Sequence, residues 1–127
     1  MVFLWKGNNM SMKDNCMCSW DVLNVTIDAD ASLSDTLNLG GLRLFSICFP
    51  DSWTDASLTF QVSPDAGETW FDLYDDDSSE VAMTAVTSSC VSVDPKQFSA
   101  YQYIRVRSGT TETAVTQEAE RSLTLFL

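Results

Sequence analysis

Residues Leu58–Tyr74 read LTFQVSPDAGETWFDLY, and the alternation within them decides the fold. Leu58, Phe60 and Val62 alternate with Thr59, Gln61 and Ser63; beyond a Pro-Asp-Ala-Gly stretch, Phe71 and Leu73 alternate with Trp70, Asp72 and Tyr74. A period of two on both sides of a turn predicts a β-hairpin with one buried face, Phe71 and Leu73 on it. Pro64 presets a turn φ, the Asp65 side chain can hydrogen-bond the backbone that follows, and Gly67 supplies a positive φ. Such a hairpin fixes the register of the sheet around it.

Short strands recur on either side. Leu23, Val25 and Ile27 alternate with Val22, Asn24 and Thr26 up to the turn-rich Asp28–Asp30, and Ser34–Leu39 reads as a second strand with Leu37 and Leu39 inward. Leu42–Phe49 is apolar at consecutive positions, which predicts a central strand covered on both faces, ended by Pro50. Asp51–Ala56 reads as a turn or one helical turn, capped by Asp51 or Ser52, with Trp53 plugging one end of the core. After the polar Asp75–Ser79 come two weaker strands, Val81–Val86 and Cys90–Val93, then a turn at Asp94-Pro95 in which Phe98 and Tyr101 dock. Tyr101–Arg107 has Ile104 and Val106 inward and Tyr103, Arg105 and Arg107 outward. Ser108–Ala119 is a long Thr-rich connection, and Ser122–Leu127 closes the chain with Leu123, Leu125 and Leu127 inward.

Eight or nine short strands without an amphipathic helix predict an all-β protein: a two-layer antiparallel β-sandwich, with jelly-roll topology the expected form. The sandwich domain spans 20–127. Residues 1–19, rich in Asn, Lys, Ser and Met, read as a flexible arm. Phe3, Leu4 and Trp5 would be costly to leave in water, so the arm is expected to pack across a neighbouring subunit.

Composition narrows the function. With 127 residues, 45% of them apolar, and seven Phe, four Trp and three Tyr, the chain can fill one two-layer core. Eighteen acids against seven cations give a net charge of −11, which repels phosphate backbones and excludes nucleic acid and anionic membrane as expected partners. The acidity serves solubility, or docking onto a basic protein surface. The absence of histidine removes the commonest general base and transition-metal ligand, and no residue set forms a reaction centre, so no catalytic residue, cofactor or metal is expected. The only early apolar run, Val2–Trp5, is far too short for a signal-peptide core, so the chain is expected to be made in a reducing host cytoplasm with its thiols free. Cys48 and Cys90 then read as small core residues, and Cys16-x-Cys18 is spaced too closely for a zinc pair.

Several residue groups admit two readings. Asp75–Asp77 could gather a hard cation but lacks the alternating spacing of a dedicated loop, and a solvated acidic loop is the favoured reading. Trp53, Trp70, Tyr74, Tyr101 and Tyr103 are aromatics for which a covering sheet, a protein interface or sugar stacking would each account. Arg43, Arg105, Arg107 and Arg121 suit cross-strand pairing or inter-subunit salt bridges. The interface candidates are Phe3, Leu4, Trp5, Trp70, Tyr74, Tyr103, Arg105 and Arg107.

Ser63–Trp70 fits S-x-D-x-G-x-T-W and resembles the Asp-box on hairpins of sialidase-type propeller blades. That resemblance implies a braced turn in which the Asp65 carboxylate accepts turn amides and Trp70 packs over it; a propeller needs several times this length. More broadly, LGGLRLFSICFPDSWTDASLTFQVSPDAGETWFDLYDDD, VDPKQFSAYQYIRVRSGT and Gln117 before a last strand make 31–127 similar to small proteins encoded among the virion-structure genes of tailed bacteriophages. The resemblance implies a non-enzymatic capsid cement or decoration protein located on the virion, with the major capsid protein and further copies of itself as partners. The alternatives are a tail, adaptor or fibre-associated protein, a carbohydrate-binding module stacking sugars on Trp70, Tyr74 or Tyr103, and, last, a small carboxylate-based hydrolase.

Overall fold

A computed structural model describes residues 21–127; the expected arm, including Phe3, Leu4, Trp5, Cys16 and Cys18, lies outside the described residues. Nine strands follow in order: β1 (Val22–Ile27), β2 (Leu37–Asn38), β3 (Ser46–Cys48), β4 (Leu58–Ser63), β5 (Phe71–Asp72), β6 (Ala82–Met83), β7 (Cys90–Ser92), β8 (Tyr103–Ser108) and β9 (Arg121–Phe126). A single 3-10 turn, Pro95–Gln97, precedes β8; Asp94 caps it by accepting the Lys96 amide. None of the described helices is long and apolar enough to cross a membrane.

The strands form two antiparallel sheets, β1-β9-β3-β7 and β2-β8-β4-β5, with β6 also pairing β4. The pairings nest: β1 with β9, β2 with β8, β3 with β7, and β4 with β5 and β6. That is one long hairpin rolled into two layers, the jelly-roll arrangement expected from the strand count.

Between the layers lie the residues that alternation places inward, joined by Leu44 and Ile47 of the apolar run and by Phe98 from the 93–102 connection. Ile27, Leu44, Ile47, Leu58, Phe98, Ile104, Val106, Leu123 and Leu125 are wholly buried. Phe60 meets Phe98 edge to face at 4.8 Å, and Trp53 closes one end of the core by meeting Phe49 in the same way at 5.4 Å. The long 109–120 connection is pinned by Gln117, whose buried side chain donates to Ser108 Oγ and the Thr54 carbonyl and accepts from the Thr54 amide and Arg121 Nε. A buried amide with four partners incurs no unpaired-group penalty.

Four expectations need correction. Leu42–Phe49 is covered on one face only: Leu44, Ile47 and Phe49 are buried while Phe45 is 46% exposed, because a two-layer sandwich covers the inner side of each sheet and no more. Ser34–Leu39 contributes a ladder of just two residues. Cys48 and Cys90 are neither free nor core: they stand opposite each other in the β3–β7 register, outside the buried layer, and are joined by a disulfide. Directly opposed strand residues bring their side chains together, and compartment reasoning is blind to that register. Phe71, finally, shares a face with buried Leu73 but is 56% exposed.

Candidate functional site: an aromatic cleft at one end of the sandwich

The hairpin loop between β4 and β5 positions the residues around it. Ser63 Oγ donates to Asp65 Oδ1 and accepts the Gly67 amide, both at 2.8 Å, and the Thr69 amide donates to the same Asp65 oxygen at 2.8 Å. The Thr69 hydroxyl, then its amide, then Ser63, hold the Asp65 carboxyl below its ordinary range, since each bond favours the ionised form. Ala66 and Gly67 both turn through positive φ, at 62° and 95°. These hydrogen bonds brace the turn as the motif resemblance implies, and a Cβ at Gly67 would stand 3.6 Å from both Thr36 and Trp70.

Trp70 leads onto the outer face of the β2-β8-β4-β5 sheet. The Arg105 guanidinium lies 4.3 Å from its ring centroid, and Arg105 Nε donates to Gln61 at 2.8 Å. Burial first, and then neighbouring Arg107, lower the Arg105 pKa. Arg107 is only 6% exposed although it points away from the core. Its Nε donates to Thr59, Nη1 to Asp72 at 2.8 Å, and Nη2 to Glu80 at 2.6 Å and Thr111 at 2.8 Å. The Gln61 amide, then Arg107, lower the Asp72 pKa. This face is therefore a polar ladder that satisfies itself, with every guanidinium nitrogen of Arg107 engaged inside the chain.

The exposed chemistry lies at the adjoining end. There Asp21 precedes β1, the Leu127 amide donates to the Asp21 carbonyl, and the 39–45 and 93–102 connections link the sheets. A cleft of about 720 Å³ is lined by Val62, Pro64, Phe71, Leu73, Tyr74 and Ala100–Tyr103. Tyr74 is 50% exposed, while Tyr101 and Tyr103 are half-buried. A shallower depression of about 420 Å³ shares Leu73, Tyr74, Ala100 and Tyr101 and continues past Asp75, Asp76, Asp94 and Lys96. Four aromatic side chains thus converge next to an acidic margin, a lining suited to an apolar or amphipathic partner.

Of the sequence-derived candidates, Tyr74 and Tyr103 line this cleft, Trp70 and Arg105 stack together beside it, and Arg107 is internal. Phe71 is not among the candidates, and Tyr101, weighed with the other aromatics, is not in the interface set. Alternation assigns Phe71 to the core, and only the position of the hairpin tip leaves that inward face uncovered. Asp75 accepts from Gln97 and Asp77 from the Ser79 amide. Among the described residues no group of three or more His, Cys, Asp or Glu is disposed to hold a metal ion.

No protein-family model matches the chain, and no curated protein matches it. Among solved structures it is similar to the crystal structure of the SPBc2 prophage-derived protein YomS, at 13% identity and a TM-score of 0.48 over 90% of this chain and 100% of that one. A likeness at that level says nothing of what the chain does.

Proposed function

We propose that this chain is a non-enzymatic structural protein of a tailed-phage virion, a cement or decoration protein that stabilises the major capsid shell. The supporting observation is the cleft: exposed Phe71 and Tyr74 beside Tyr101 and Tyr103, at the end of a sandwich whose adjoining outer face is closed by the Arg107–Asp72 and Arg107–Glu80 pairs. Aromatic anchors in a pocket are the usual centre of a protein interface. The acidic surface suits a protein that stays soluble until it docks, and the resemblance of 31–127 to proteins of virion-structure gene clusters supplies the setting.

The test is to locate the protein in purified particles by cryo-EM or immunogold labelling, and to heat capsids assembled with and without it. Density bridging capsomers, with capsids that burst at lower temperature when the protein is omitted, supports the reading. Density confined to the tail replaces it with the adaptor or fibre alternative; absence from particles or unchanged robustness overturns it. A second reading, sugar binding, is favoured by the tyrosines of the cleft rather than by Trp70, one face of which Arg105 covers. Glycan-array binding lost on Tyr74→Ala would support it.

A further inference from the structure

We propose that the cleft is the receptor for the N-terminal segment of this same chain, Val2–Lys6, delivered by its own or a neighbouring copy. The order of chemistry matches. The segment reads Val-Phe-Leu-Trp and then Lys; the cleft offers Phe71, Tyr74 and Tyr101 and then a margin where Asp75, Asp76 and Asp94 outnumber the one cation, Lys96. Large apolar side chains gain by leaving water for such a lining, and a Lys against clustered carboxylates fixes direction.

Charge is divided the same way. The charged residues of 1–20 are Lys6, Lys13 and Asp14, so the acid excess of the protein lies wholly in the sandwich. Reach is sufficient: the fifteen residues from Lys6 to Asp21 span up to about 50 Å when extended. Asp21 itself stands at the cleft end of the fold, where β1 begins opposite the close of β9.

The inference rests on reading the cleft as an interface and not on any capsid, so it is tested on the isolated full-length chain. Phe3 is replaced by the photoreactive p-benzoylphenylalanine, the protein is irradiated, and cross-linked peptides are mapped by mass spectrometry in a mixture of ¹⁵N-labelled and unlabelled chains. Cross-links are expected on 62–74 and 100–103, in one copy or between two, as the labels report. The exposed pair Phe71→Ser/Tyr74→Ser should cut their yield at least fivefold with the circular dichroism spectrum unchanged, and Asp75→Asn/Asp76→Asn should cut it less. Cross-links elsewhere, or a yield indifferent to both variants, would overturn the inference. Absence of the protein from virions would sink the proposed function and leave this cross-link standing.

Discussion

Replacing Arg107 by Met probes the ladder at its densest point. The substitution keeps an unbranched apolar stem and removes four donated hydrogen bonds, two of them ion pairs. Removing one partner of a buried charge pair costs about 3–5 kcal/mol, mostly because the remaining charges lose their counter-ion. Asp72 and Glu80 are 30% and 16% exposed in their side chains, so both can recruit some water, which places the expected loss near the lower bound, at about 3 kcal/mol. With a urea slope of about 1.5 kcal/mol/M, the unfolding midpoint should fall by about 2 M. Neutralising the orphaned carboxylates as well, with Asp72→Asn and Glu80→Gln, should recover at least half of the loss. The acid limb supplies a further readout: because the Asp72 pKa is depressed below 3.8 in the folded chain, its contribution is complete above that value and is lost as pH falls through the folded pKa. Arg107→Met should flatten that limb. A loss under about 1 kcal/mol, or no recovery in the triple variant, would refute the view that Arg107 is a buried charge held by its partners.

Three other perturbations have defined outcomes. Reducing the Cys48–Cys90 bond, which spans a sequence separation of 42, should lower stability by about 4 kcal/mol on loop-entropy grounds, and the Cys48→Ser/Cys90→Ser chain should behave the same with or without dithiothreitol. Gly109→Ala should destabilise by at least about 2 kcal/mol in urea titrations, because the φ there is 96° and a Cβ would stand 2.4 Å from the Thr113 carbonyl oxygen and 2.6 Å from the Val115 nitrogen. Asp65→Ala should speed amide exchange at Thr69 without a matching global loss; in the native chain the same local opening should set in as pH drops through the depressed Asp65 pKa and vanish above the ordinary carboxylate value.

Alternation made most of the sandwich legible, since Val25, Ile27, Phe60, Ile104, Val106, Leu123 and Leu125 each fall inward as their spacing requires. The turn at Pro64–Gly67 was legible for a different reason: its chemistry is local, and Asp65 and Ser63 complete it with their own neighbours. What escaped depends on contacts between distant segments. The Cys48–Cys90 bond needs the β3–β7 register, and the burial of Arg107 needs Glu80 and Thr111 to arrive from separate loops. The cleft escaped because period two reports which way Phe71 points and not whether anything stands opposite.

Strand β9 sits between β1 and β3, contributing to two ladders at once from its six residues. Until β9 is in place, β1 and β3 have nothing to pair with on their facing edges, and half of the sandwich waits on residues 121–126. Open edges of that kind invite pairing with another chain. A chain that has not yet inserted β9 is a sticky half-fold and not a slightly loosened protein, and the acid excess of the sandwich keeps crowded, unfinished copies apart.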